Sequence, residues 1–175
     1  MSIYDFDNDF AHYELDDETK KNYGQFWTPY NVIVDMLDDF GTVSDKNSIW
    51  YDETETHLDP TMGAGNIIIG ILYRRIVECG QNPITALSNV YGVELDKSTL
   101  DFARKRIVDF MHKVSENLNI QIDFNKVNEL VYEKNSFTNN PNPNFVCSDI
   151  FEWDIEKWCK LEKNTQECDW DIFKN

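Results

Sequence analysis

No stretch of this chain approaches the roughly 18 consecutive apolar residues that a membrane-spanning helix requires. The first residues, Met1-Ser2-Ile3-Tyr4-Asp5-Phe6-Asp7, are acidic and contain no apolar core of signal-peptide type. Both observations predict a cytoplasmic protein with no membrane partner. Cysteine is sparse: Cys79, Cys147, Cys159 and Cys168 form no C-x-x-C pair and have no paired histidine spacing. That pattern points to neither a zinc site nor a disulfide frame, so no metal is expected. His12, His57 and His112 are scattered and read as structural or exposed. Positive charge is scarce as well: Lys and Arg number 16 against 32 Asp and Glu, leaving a net charge of −16. Such a field repels phosphate backbones unless a local basic surface overrides it. The two basic clusters, Arg104-Lys105-Arg106 and Arg74-Arg75, lie inside helical patterns and read as solvated helix faces. Any DNA contact is therefore expected through a separate or missing basic region.

What is present is a globular composition, 41% hydrophobic and 14% aromatic. At 175 residues it fits one domain that buries about two-thirds of its unfolded surface. Residues 1–23 read as an acidic, aromatic arm, and residues 24–175 as the domain. Within the domain, Leu58-Asp59-Pro60-Thr61-Met62-Gly63-Ala64-Gly65-Asn66 stands out, followed at once by Ile67-Ile68-Ile69. An acidic residue closes a short strand, a G-x-G pair turns the chain, and an apolar helix begins. Glycine permits the turn and leaves the main chain open to a ligand. In a βαβ unit that turn is the crevice where nucleotide-like ligands sit. A lone G-x-G is weak, because many tight turns carry two glycines. The third glycine of a dinucleotide fingerprint is replaced by Ile68.

The surrounding chain supplies the rest of such a unit. Thr28 is a suitable N-cap and Pro29 a suitable first helical residue, with Ile33, Met36, Leu37 and Phe40 following at helical spacing and Gly41 placed to end the helix. The segment before it, Gln25-Phe26-Trp27-Thr28, is either an ordinary helix entrance or a cover for a ligand; local sequence does not choose. Residues 66 to about 79 read as a helix apolar on most sides, with Gly70 marking close helix-to-strand packing, and 81–89 as a polar loop. Val90–Asp96 is a second strand ending in carboxylates, and Ser98 caps a long helix with Leu100, Ala103, Ile107, Met111, Val114 and Leu118 on one face. Glu94 stands where dinucleotide-binding units place a ribose acceptor, or it is a strand-end carboxylate capping the next helix; the glycine turn favours the first. Residues 119–143 look like an insertion with a strand at Ile120–Phe124. Phe145–Phe151 is a third strand containing Asp149, and Asp169–Asn175 a fourth. Strands ending in acidic residues fit a parallel α/β sheet whose carboxyl edge holds a polar ligand.

Four segments, in order, resemble the S-adenosylmethionine-dependent DNA adenine-N6 methyltransferases of restriction-modification systems. Gly24-Gln25-Phe26-Trp27-Thr28-Pro29 is similar to that family's G-Q-F-[FY]-T-P motif, and Asp59-Pro60-Thr61-Met62-Gly63-Ala64-Gly65 to its D-P-x-x-G-x-G loop. Gly92-Val93-Glu94-Leu95-Asp96 resembles its G-x-E-x-D segment, and Ser148-Asp149-Ile150-Phe151 its G-D-[IAS]-[FL] segment. Met62 departs from a frequent cysteine and Ser148 from a glycine. The resemblance implies a partial methyltransferase-type Rossmann fold, its amino-terminal half, with strand order 3-2-1-4, helices on both faces, and an edge open to a second subunit or self-association. It implies an S-adenosylmethionine site at Asp59, Pro60, Gly63, Gly65, Glu94, Leu95, Asp149 and Ile150, with Thr28 and Pro29 near the cofactor's amino-acid end. The family's catalytic motif, [NDS]-P-P-[YFW], occurs nowhere in the 175 residues, although Asn175 can be its first residue. The expectation is an adenine-N6 methyltransferase that is truncated at this end or completed by a second chain. The alternative is a non-catalytic cofactor-binding protein acting through partners.

Overall fold

A computed structural model describes residues 2–7 and 28–158. The expected fourth strand, Asn175 and Gly24–Trp27 lie outside these residues.

Three short parallel strands form the sheet: β1 (His57–Asp59), β2 (Val90–Glu94) and β3 (Phe145–Cys147). Their order is β1-β2-β3, with Asp59 beside Gly92 and Glu94 beside Cys147. The three strands thus follow the expected 3-2-1 order, and all end at one edge. β3 stops at Cys147, so Asp149 stands in the following turn rather than at the strand's last position.

The α-helices are α1 (Tyr30–Asp38), α2 (Asn66–Tyr73), α3 (Pro83–Ser88), α4 (Lys97–Leu118) and α5 (Phe124–Asn128). Single π-helical turns extend α2 through Arg74–Glu78 and α5 through Glu129–Glu133. The buried side chains of all five helices join one cluster with Val90 and Phe145. Strand alternation sends Leu58, Tyr91, Val93 and Val146 to the opposite face. There they meet Trp153, Ile155 and Trp158 around a short 3-10 turn at Ile155–Lys157. Among the described residues the α-helices therefore cover one face of the sheet, not both. Residues 2–7 belong to this body, since Ile3 and Phe6 are buried in the main cluster. No helix among the described residues is long and apolar enough to cross a membrane.

Several local expectations give way to tertiary contacts. Pro29, not Thr28, is the N-cap of α1, and no side chain caps that helix. Ile33 and Leu37 are buried, but Met36 and Phe40 of the same stripe are exposed. Gly70 is the contact point of two helices: a side chain there would come within 2.6 Å of Ile33 on α1. The expected loop 81–89 contains α3, whose N-cap Asn82 accepts from the Ile84 and Thr85 amides and whose first residue is Pro83. The expected strand 120–124 is absent. Asp123 instead caps α5, accepting from the Asn125 and Lys126 amides. Asp96 rather than Ser98 caps α4, its carboxylate accepting from the Thr99 amide at 2.7 Å.

The arginine clusters also differ from the solvated faces expected of them. Arg74, Arg75 and Arg106 are buried. Arg75 donates to Gln81 Oε1 (2.8 Å), the Glu55 carbonyl (2.8 Å) and the Asp52 carbonyl (3.3 Å), and lies 3.1 Å from His57 Nδ1. A guanidinium is satisfied by carbonyls without a carboxylate, because its planar donors reach several at once. The network pins the loop entering β1, where the Trp50 ring stacks on His57.

Candidate functional site

The carboxyl edge of the sheet gathers the sequence-predicted residues. After Asp59 the chain passes Pro60 and Thr61, and the Met62 amide bonds the Val93 carbonyl of β2 at 2.9 Å. Gly63 and Gly65 take positive φ angles of 52° and 86°, and Gly65 forms the left-handed N-cap of α2. An L-residue with a Cβ pays about 1–2 kcal/mol for that conformation. The two glycines face different surroundings. A Cβ on Gly65 would touch Ala103 of α4 at 3.5 Å, whereas one on Gly63 would meet nothing within 4 Å. The turn is therefore seated on α4 at Gly65 and open at Gly63.

Glu94 ties this turn to β2. Its Oε2 accepts from the Gly63 amide at 2.8 Å and its Oε1 from the Asp96 amide at 2.9 Å, and the residue is buried. Each carboxylate oxygen has a second lone pair, so both retain acceptor capacity. Gly92, two residues earlier, has a packing reason to be glycine. A Cβ there would lie 2.4 Å from Met62 Sδ and 3.1 Å from Phe145 Cδ1.

Asp59 has the most unusual environment of the site. Oδ1 accepts from the Thr61 amide at 3.1 Å, but the buried Oδ2 has no hydrogen-bond partner. Burial, with the Glu94 charge adding to it against the Thr61 bond, pushes its pKa up to about 6. An unpartnered buried carboxylate oxygen beside a second carboxylate is a site for a cation or a hydrogen-bond donor. It borders a cleft of about 60 Å³ lined by Thr28, Asp59, Thr61, Gly63, Asn66 and Ile67 among others. That volume takes an ammonium-sized group, and it is well short of the roughly 300 Å³ at which whole small-molecule pockets begin.

The remaining predicted residues lie along the same edge. The Ser148 amide bonds the Glu94 carbonyl at 3.0 Å, which brings the turn after β3 beside the end of β2. Asp149 is half-buried, and its Oδ1 accepts from the Phe151 amide at 2.9 Å. Leu95 and Phe151 are exposed, and Ile150 is half-buried against the second apolar cluster. Pro29 and Pro60 are exposed, and Thr28 is half-buried in the cleft wall. The structure thus brings Thr28, Asp59, Gly63, Gly65 and Glu94 together and places Leu95, Asp149 and Ile150 beside them.

Residues that sequence reasoning passed over complete the turn. Asn66 Nδ2 donates to the Thr28 carbonyl at 3.0 Å, joining α2 to the entrance of α1. Arg106 reaches from α4 to the turn, and Asp7 pairs with it. The available signal was position: Arg106 falls on the apolar stripe of α4, three residues after Ala103 and four before Phe110. No family model, curated protein or solved structure matches this chain.

Proposed function

We propose that this chain is the cofactor-binding part of an S-adenosylmethionine-dependent DNA methyltransferase of the adenine-N6 type. One observation carries the reading. The Asp59–Gly65 loop, the Gly92–Asp96 segment and the Ser148–Phe151 turn lie along a single sheet edge with Thr28 in the cleft wall, where an open glycine turn is held by Glu94 next to the unpartnered Oδ2 of Asp59. These residues fit the cofactor's chemistry in three ways. Asp59 and the cleft wall at Thr28 would hold the amino-acid end, where the cofactor is cationic. Gly63 leaves the main chain clear for close approach. The free lone pairs of Glu94 would accept from ribose hydroxyls, with Leu95, Asp149 and Ile150 bordering the adenine.

When bound, S-adenosylmethionine supplies a sulfonium methyl group for transfer to an exocyclic amine. This chain's own contribution is to orient that group and neutralise its charge; the residues that would grip an extruded base belong to the motif absent from these 175 residues. DNA would be reached through a basic region on another segment or subunit, since Arg74, Arg75 and Arg106 are occupied internally.

Calorimetry of the folded chain with S-adenosylmethionine tests the cofactor reading. Binding is expected, and Glu94→Ala should weaken it by about 1.5–3 kcal/mol for each lost ribose bond to a charged acceptor. No heat at millimolar ligand would refute it. A second reading, a non-catalytic cofactor-binding protein, is favoured by the net charge of −16. Labelled methyl transfer to unmethylated DNA, by the chain alone and with a partner supplying the missing motif, separates the two.

A further inference from the structure

Arg106 makes contacts that the glycine turn and the cleft wall share. Its Nη1 donates to the Ala64 carbonyl at 2.7 Å and to Asn66 Oδ1 at 2.9 Å, and its Nη2 pairs with Asp7 Oδ2 at 2.5 Å. Both partners of the ion pair are buried, with side chains 2% and 7% exposed. Asn66, oriented by that bond, passes the restraint on to the Thr28 carbonyl. Gly65 has no side chain with which to cap α2, so the turn's polar groups on this side are fixed from α4. The opposite side is fixed separately, by the Gly63–Glu94 bond. The turn is thus clamped at two points belonging to different halves of the site.

We propose that the Asp7–Arg106 pair is a positioning clasp for the amino-acid end of the ligand, setting the Ala64–Asn66 turn and the Thr28 wall against Asp59. The proposal rests on the cofactor reading above and adds to it two residues outside the four motif-like segments. Its logic is geometric. Arginine's planar fork holds a carbonyl, an amide oxygen and a carboxylate at once, while lysine keeps the charge but not the fork. Arg106→Lys should therefore spare the fold and loosen the turn. The ribose and adenine side, anchored by Glu94, should be untouched.

The experiment compares wild type, Arg106→Lys and a control, Arg74→Lys, in which a buried arginine paired with Asp38 lies away from the turn. Each is titrated with S-adenosylmethionine and with adenosine, which lacks the amino-acid end. Folding is checked by circular dichroism. Arg106→Lys is expected to bind S-adenosylmethionine about tenfold more weakly, the order that one hydrogen bond to a charged group carries. Its adenosine affinity should match wild type, and Arg74→Lys should change neither. Unchanged S-adenosylmethionine affinity in folded Arg106→Lys overturns the clasp. Equal losses for both ligands also overturn it, marking the pair as a fold-stabilising contact alone. If wild type binds neither ligand, the cofactor reading fails, and amide hydrogen exchange then judges the clasp. Faster exchange at the Gly65 amide, which bonds the Met62 carbonyl, in Arg106→Lys than in Arg74→Lys supports the restraint; equal exchange overturns it.

Discussion

Replacing Asp59 by asparagine should stabilise the ligand-free protein above pH 6, although it alters a residue of the candidate site. Burial holds the Asp59 carboxyl at about 6, against an ordinary value of 3.8. Between those pH values the folded chain therefore binds more protons than the unfolded one, so stability falls as pH rises, and the deficit is complete above pH 6. At 1.36 kcal/mol per pH unit the integrated cost is about 3 kcal/mol. Asp59→Asn removes that cost while keeping the shape of the protonated acid. Urea denaturation followed by tryptophan fluorescence should show the two proteins nearly equal near pH 4, with the variant gaining up to about 3 kcal/mol by pH 7. His57 sharpens the comparison. Burial, then the neighbouring Arg75 charge, pushes its pKa down from 6.5 to about 4. The unfolded chain takes up that proton first, so His57 removes stability as pH falls through the same interval. The two groups oppose each other in wild type, and Asp59→Asn leaves the His57 loss exposed. A variant no more stable than wild type at pH 7, or a difference between them that does not grow with pH, would refute the assignment of a costly buried charge to Asp59.

Gly92→Ala should destabilise the fold by about 1–3 kcal/mol, the usual cost of overpacking, because the new methyl group meets Met62 Sδ at 2.4 Å. Denaturation of Gly92→Ala with and without Met62→Ala checks it, since the second change should relieve the first. Gly65→Ala should cost about 1–2 kcal/mol through its positive φ rather than through crowding. Gly65→Asn should therefore cost less, and equal losses in thermal melts would contradict that reasoning. Arg75→Met should cost about 3 kcal/mol or more, because the Glu55 and Asp52 carbonyls and Gln81 lose a buried charged donor. It should also raise the His57 pKa, read by NMR titration, as the adjacent positive charge is gone.

The sequence by itself determined the features whose causes lie within a few residues. The G-x-G pair between an acidic residue and an apolar run required a strand–turn–helix junction, and Gly63 and Gly65 adopt the positive φ angles such a turn demands. The stripe from Leu100 to Val114 required a helix with one buried face, and α4 has it. Parallel pairing followed from three strands separated by helices, whereas their order was expected only from the family resemblance. Other outcomes depended on partners far along the chain. Helices α3 and α5 are only 6 and 5 residues long, too short for periodicity to show, and packing holds them. Arg106 looked like part of a solvated basic run because its acceptors, Ala64, Asn66 and Asp7, lie 40 or more positions away. Asp59 was legible as a strand-end carboxylate. Its unpartnered oxygen and raised pKa arise only when burial and Glu94 surround it. Backbone propensity and side-chain period act locally and survive in the sequence as pattern; desolvation and long-range hydrogen bonding come into being only when the chain closes on itself.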